Sequence, residues 1–274
     1  MKTCKICLKN SHFLFESKVL YKHQVSYFQC ESCKFIQTET PFWLDEAYSS
    51  AIAGLDIGLL YRNNVFSNTI PGILEQFTLT DDCYIDYGGG YGVFVRMMRD
   101  KGYNFYLYDK YCENLFAQFF ELDNCSVKRF AALTAFEVFE HLVDPISEIA
   151  KMFEFSDSII FSTEIQPDIS FNSDQDWWYF VPEGGQHVAL YSLESLNYLA
   201  DLFECTLFTN NSNLHILSKR QMPNPFEVRT KQDSLLLRTM RFINRKILFP
   251  PVAASHRESL LSRDFEMVKS KLII

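Results

Sequence analysis

No apolar run in the 274-residue sequence approaches the ~20 residues needed to cross a bilayer. The opening MKTCKICLKNSH has no apolar centre of the secretory kind, so the chain is expected to be cytoplasmic with no membrane span. A reducing compartment disfavours disulfides, which turns attention from bridges to metal binding for the eight cysteines. Positive charge is also short: 26 Lys and Arg stand against 34 Asp and Glu, and a net charge of −8 counts against a nucleic-acid partner. The shortage is uneven. Residues 219–274 hold 12 basic against 5 acidic residues, while residues 1–218 hold 14 against 29. The tail therefore reads as a basic helical extension packed on the acidic body or on a second subunit, with the oligomeric state open. With 47% hydrophobic and 16% aromatic residues, disorder is excluded and a large buried core is expected. Glycine is scarce, ten residues in all, yet four of the ten stand between positions 88 and 92.

Four cysteines form two Cys-x-x-Cys pairs, Cys4 with Cys7 and Cys30 with Cys33, separated by a stretch rich in Val, Tyr and Phe that reads as strand. Two such knuckles present four thiolates to one tetrahedral ion, the pattern of a zinc ribbon. About 40 residues cannot build a sufficient core alone, and a four-thiolate zinc site contributes roughly 10–16 kcal/mol of apparent binding energy that is also folding energy. A saturated sulfur shell leaves no position for substrate, so this metal is read as structural. His12 and His23 fall outside the shell, and Cys83, Cys112, Cys125 and Cys205 are expected to be buried small hydrophobes. Residues 41–80 read as a helical linker outside the core, its apolar periodicity broken by glycines and a proline.

The glycine-rich stretch YIDYGGGYGVFVRMMRDKGYNFYLYD reads as a β-α-β unit. A short apolar strand precedes the glycines. An amphipathic helix follows, with Val93, Phe94, Met97 and Met98 on one face and Arg96, Arg99 and Asp100 on the other, and a second strand ends at Asp109. Ligands of such units bind at the carboxyl ends of the strands, where glycines allow close approach and the helix start offers free N–H groups. Asp109 is then placed to accept hydrogen bonds from ribose hydroxyls. The glycine register excludes a dinucleotide fingerprint, which would require glycine where Val93 stands, and the Gly-Lys-Ser/Thr of a P-loop is absent.

What remains is Asp86-x-Gly88-x-Gly90-x-Gly92 with Asp109 downstream. This resembles the first motif of class I S-adenosylmethionine-dependent methyltransferases. The segment FEVFEHL, with Glu137, Glu140 and His141, looks like the fourth strand and following helix of that family, which would place His141 one turn into the helix. No third strand is evident between Asp109 and this segment. The order of cysteine ribbon, EAYSS, glycine motif, FEVFEHL and WWYFVPEGGQHVALYS resembles bacterial methyltransferases with an N-terminal zinc-binding domain, including sugar C-methyltransferases and polysaccharide-pathway enzymes. The resemblance spans residues 1 to about 218.

It implies S-adenosylmethionine as cofactor, held by Asp86, Gly88, Gly90, Gly92, Asp109 and Glu137, and a small-molecule substrate such as a nucleotide-linked sugar. It also implies His187 as general base and Tyr48 near the substrate. His141 is a further catalytic candidate, its place one turn into a helix favouring a structural or cofactor-side hydrogen bond. Gln186 stands where the family carries glutamate. That change leaves three alternatives: a weaker base, assistance from Glu183, or an O- or N-methylation. Independently of the resemblance, a histidine with an ordinary pKa near ~6.5 suits proton abstraction at neutral pH. Gly184 and Gly185 suggest a mobile loop, and Trp177, Trp178 and Tyr179 suggest a flat surface for stacking.

The expected fold is α/β: a doubly wound Rossmann-like methyltransferase core over 81–218, an N-terminal zinc ribbon over 1–40 and a C-terminal helical extension over 219–274. A reading from another class keeps the motifs without the chemistry, as a noncatalytic nucleoside-sensing or zinc-ribbon interaction module.

Overall fold

The structure is a computed structural model, and it describes residues 2–49, 56–75, 83–227 and 257–272. The amphipathic basic segment at 234–249 lies outside the described residues.

The apolar runs flanking the glycine motif form a six-stranded sheet. It contains β5 (Cys83–Tyr87), β6 (Asn104–Tyr108), β7 (Ala132–Ala135), β8 (Ser158–Ser162), β10 (Thr206–Thr209) and β11 (Leu214–Ser218), in the order β10-β11-β8-β7-β5-β6. β6, β5, β7 and β8 run parallel, and β11 and β10 close one edge as an antiparallel pair. Every residue of β7, β8 and β11 is buried, as a sheet covered on both faces requires. The chain leaves β5 toward β6 on one side and then returns to β7 on the other. This switch point opens a crevice at the carboxyl ends, where the segments after β5, β6 and β7 converge. A third strand in sequence order is reduced to one parallel bridge, Leu107 with Glu121, on the outer edge of β6.

Helices α3 (Val93–Asp100), α4 (Pro145–Phe155) and α5 (Leu193–Leu202) cover the sheet. Asp144 caps α4, its Oδ1 accepting from Ser147 N at 3.2 Å, an interaction typically worth ~1 kcal/mol. Helix α2 (Leu59–Leu74) runs straight through Pro71 and Gly72 and buries Phe66, Ile70, Ile73 and Leu74 in one cluster with Met98, Phe105 and Ile160. The expected linker is thus in part a core helix. Burial of that apolar face outweighs the local cost of proline.

The N-terminal segment is likewise no free-standing unit. Its strands β1 (Lys2–Thr3), β2 (Asn10–Val19), β3 (His23–Cys30) and β4 (Ile36–Thr38) form an antiparallel sheet, and the Val/Tyr/Phe stretch is a hairpin rather than one strand. A fifth strand, β9 (Ala189–Leu190), joins from the far end of the chain, pairing Ile36 with Leu190 and Gln37 with Ala189. The cysteines share a buried cluster with Leu196, Leu199 and Phe161 of the larger sheet's layers. A short α1 (Leu44–Ala47) leads from this sheet toward the crevice.

Arg99 falls on a buried face of α3, not the solvent face expected, and is 1% exposed. It donates to both carboxylate oxygens of Asp264 (2.8 and 2.9 Å), to Asn104 Oδ1 and to the Phe105 carbonyl, and its guanidinium lies 3.7 Å from the centre of the Phe120 ring. Asp264 belongs to α6 (Leu261–Leu272), so this ion pair pins the C-terminal helix to the body beside β6. Removing one partner of such a pair leaves an uncompensated buried charge. Asp264→Ala is expected to lower stability in urea unfolding by about 3–5 kcal/mol, and replacing both partners with apolar residues should recover much of that loss. A single-variant loss indistinguishable from zero would contradict the docking of α6.

Candidate active site

The glycine turn joins β5 to α3 at the mouth of the crevice. Gly88 adopts φ +70°, donates its N–H to the Tyr108 carbonyl at 2.7 Å, and leaves no room for a side chain, because a Cβ there would stand 2.7 Å from Val138 Cγ2. Gly90, at φ +58°, has the opposite surroundings: a Cβ would meet nothing within 4 Å, so this side of the turn is open. Gly92 is the residue before α3.

Asp109, just past β6, accepts three backbone N–H bonds, from Gly90 at 2.9 Å, Tyr111 at 2.7 Å and Cys112 at 2.8 Å. A carboxylate offers about four lone-pair sites, so capacity for a further donor remains. Beside it, a groove of about 680 Å³ is lined by Asp109 itself together with Cys112, Asn114, Phe119 and Glu121 among others. Asp86 lies beneath the turn, 2% exposed, and accepts from Thr134 Oγ1 at 2.5 Å. Burial pushes its carboxyl up to about 7, with the Thr134 bond opposing and Asp109 adding to the rise.

Across the crevice three distant segments meet. Tyr48 OH lies 3.0 Å from His141 Nδ1, and the Tyr48 ring stacks on Tyr111, two residues from Asp109 (5.7 Å, 14°). The rings of His141 and His187 stand edge to face at 5.2 Å. His187 Nδ1 lies 2.7 Å from the Tyr179 carbonyl. A carbonyl only accepts, so Nδ1 carries the proton and Nε2 keeps its lone pair. Burial pushes His187 down to about 4, an effect the Tyr179 carbonyl opposes, and His141 to about 3, where His187 adds and the Gln186 carbonyl opposes. Both imidazoles are therefore neutral at pH 7, further from protonation than an ordinary histidine.

Glu140, wholly buried, adjoins them, its Oε1 3.9 Å from His141 Nε2. Glu137 sits at the end of β7 with φ +53°. Its Oε1 accepts from Ser162 Oγ at 2.7 Å, and Oε2 faces Arg62 Nε at 3.4 Å.

Several expectations change here. His141 lies in a separate 3-10 turn, Phe139–His141, ahead of α4, not in the helix. The Gly184–Gly185 loop is pinned: Trp43 Nε1 donates to the Gly185 carbonyl at 2.8 Å, and Gln186 Nε2 donates to the Ala47 carbonyl at 2.9 Å. Gln186 thus tethers α1, while Glu183 is exposed. Trp177 and Tyr179 are core residues, which leaves Trp178, 70% exposed, as the presented ring. Cys83, Cys112, Cys125 and Cys205 are half-buried rather than buried. Glu140 and Arg62 enter the site unforeseen, and Tyr179 enters it through its carbonyl on His187 rather than as a stacking surface. The signal available for Glu140 was a carboxylate beside a histidine in an otherwise apolar run.

The four ribbon cysteines do converge. Their Sγ atoms lie within 4.8 Å of one another, with Cys4–Cys33 at 3.6 Å and Cys7–Cys30 at 3.3 Å. Four thiolates about 2.3 Å from a zinc ion are roughly 3.8 Å apart, so the quartet fits one tetrahedral ion. Ile6 N and Cys33 N point at Cys4 and Cys30 Sγ at 3.4 and 3.5 Å. The contact with Cys33 pulls the Cys4 thiol down to about 5 and pushes Cys33 far up, so without a cation the pair does not ionise together.

A family model described as a methyltransferase domain matches residues 61–209, more than half of the chain. The chain belongs to the methyltransferase-domain family. It is an enzyme, a methyltransferase. The match begins inside α2, in agreement with that helix packing in the core. Similar solved structures include the plantazolicin methyltransferase BpumL in complex with SAH, at 11% identity over 64% of this chain and 90% of that one, TM-score 0.43. An O-methyltransferase family protein from Burkholderia thailandensis matches at 10% identity over 65% and 68%, TM-score 0.40. CalO1, a methyltransferase in calicheamicin biosynthesis in its SAH-bound form, matches at 12% over 64% and 60%, TM-score 0.40. Likeness at this level carries nothing about the acceptor. No curated protein sequence matches the chain.

The methyltransferase holds Asp86 protonated well above the ordinary carboxylate range, about 7 against 3.8. As pH rises through 3.8 the unfolded chain ionises this group while the native protein does not, so its contribution to stability falls until the native pKa is passed. Asp86→Asn should remove a pH-dependent loss of roughly 3–4 kcal/mol between pH 4 and 7. Thermal melts across that range check it, and parallel curves for the two proteins would show that burial does not hold the proton.

Proposed function

We propose that the enzyme transfers the methyl group of S-adenosylmethionine to a small acceptor held between Tyr48, His141 and His187. The acceptor is a nucleotide-linked sugar or a related polysaccharide or natural-product precursor. One observation carries this reading: Tyr48, His141 and His187, drawn from three separate segments, face one another beside the glycine turn, with Tyr48 linking them through Tyr111 to Asp109. The preference for a sugar rests on the order of sequence motifs.

In this reading the open side of the turn at Gly90, with Gly88 and Gly92, receives the donor, and Asp109 accepts from its ribose. Asp86 supports the turn from below, and Glu137 shapes the end of β7. Cys4, Cys7, Cys30 and Cys33 hold a structural zinc ion that ties the N-terminal sheet to the body. Methyl transfer is an in-line displacement, so the protein's work is to align the acceptor atom with the methyl carbon and remove the acceptor's proton. His187 Nε2 is the lone pair oriented for that removal. Gln186 is engaged with Ala47, so the carboxylate nearest the imidazoles is Glu140.

Asp109→Ala removes charge-assisted hydrogen bonds and is expected to weaken donor binding about ten- to a hundredfold in calorimetry, with the fold retained. Unchanged affinity would move the donor site elsewhere. His187→Asn should leave donor affinity nearly constant and lower turnover about 10²–10⁴-fold. Near-normal turnover in that variant would return the histidine to a packing role.

A further inference from the structure

Glu140 is 0% exposed, and neither of its carboxylate oxygens makes a hydrogen bond of full geometry among the described residues. Such a group costs several kcal/mol to bury uncompensated. The hydroxyls of Thr163 and Tyr179, which make a 3.5 Å contact with each other, also face this carboxylate as weak donors. The nearest charged residue of opposite sign, Arg62, already faces Asp56 Oδ1 at 2.6 Å and Glu137 Oε2 at 3.4 Å.

Two imidazoles stand against this carboxylate, and each has its Nδ1 engaged from outside the cluster. His187 Nδ1 donates to the Tyr179 carbonyl, and His141 Nδ1 can donate to Tyr48 OH. That leaves the His187 Nε2 lone pair for the interior of the cluster, and His141 Nε2, 3.9 Å from Glu140 Oε1, joins it once the Gln186 carbonyl that also faces this imidazole is released. One ligand atom each from Glu140, His141 and His187 lies within 4.8 Å of the others. This is how proteins prepare imidazoles for a metal: an outer hydrogen bond fixes the tautomer and the ring plane, and the inner nitrogen binds.

We propose that Glu140, His141 and His187 form a second metal site, distinct from the four cysteines, which takes a divalent first-row transition-metal ion. Two imidazoles and one carboxylate leave coordination positions open, and oxygen and nitrogen donors of this mix suit Mn²⁺, Fe²⁺, Co²⁺ or Zn²⁺. Bonds of about 2.0–2.2 Å put neighbouring donors about 3 Å apart, so the 3.9 Å between His141 Nε2 and Glu140 Oε1 has to close by roughly 1 Å. The inference rests on the reading that this pocket receives the acceptor, because the open positions would take an acceptor oxygen. In the loaded state the His187 lone pair is a ligand rather than a base.

The test uses the full chain with its cysteine site zinc-filled, the weaker site emptied by EDTA dialysis, and Co²⁺ as probe. One further equivalent of Co²⁺ is expected, with the weak d–d bands of a nitrogen-oxygen site and no sulfur charge-transfer bands. His187→Ala and His141→Ala should each weaken this binding at least about tenfold, as should Glu140→Gln. His23→Ala, at a surface histidine bonded to Glu46, should not. Circular dichroism separates misfolding from ligand loss, and His187→Ala, the variant furthest from the buried carboxylate's backbone, decides if Glu140→Gln does not fold. Absence of a further equivalent, thiolate-type bands, or unchanged affinity in His187→Ala would overturn the metal site. Because the readout is metal binding, those outcomes leave the methyltransferase reading standing, whereas loss of turnover with Co²⁺ binding intact would bear on that reading alone.

Discussion

The site depends on a two-residue strand. Ala189 and Leu190 pair with Gln37 and Ile36 of the N-terminal sheet, and the residue before them, Val188, donates its N–H to the Glu140 carbonyl at 2.9 Å while accepting from Thr38 N at 3.3 Å. Three segments are thereby sewn together at one point. His187 is brought against His141, and the N-terminal sheet is fastened to the larger one. Ser192 extends the seam, capping α5 while its hydroxyl donates to the Cys33 carbonyl at 2.8 Å. The cysteine quartet is therefore wired into the same construction as the histidines, although it lies outside the crevice.

That seam also sets the electrostatics. Bringing the N-terminal sheet down over the end of the large sheet removes water from His141, His187 and Glu140, and burial is the first cause of each group's altered proton affinity. The charged form of each is disfavoured: the histidines lose their proton and the carboxyl keeps its own. Asp86, deeper under the glycine turn, follows the same rule, while Asp109 at the rim draws three backbone donors.

Local patterns carried a large part of the architecture. Glycines bounded by apolar runs specify strand, turn and helix over a few residues, because left-handed backbone and alternating burial leave their mark in residue type. The strands around Asp86 and Asp109, the missing third strand and the cysteine pairs were all legible this way. Patterns failed where burial overrode propensity. Helix α2 passes through Pro71 because its apolar face is needed in the core, and Arg99 lies inside because Asp264, 165 positions away, completes it.

By itself the sequence determined a glycine turn with a downstream acid, a four-thiol cluster, and the set of histidines and tyrosines available for chemistry. Each is encoded within a few neighbouring residues. Which of those side chains meet was decided only by the tertiary structure. Tyr48 and His141 are 93 positions apart, and His187 reaches them through a strand too short to show any periodicity. Glu140 reads in the sequence as one acid beside a histidine. Its burial without a hydrogen bond of full geometry among the described residues is a property of packing, and packing is non-local.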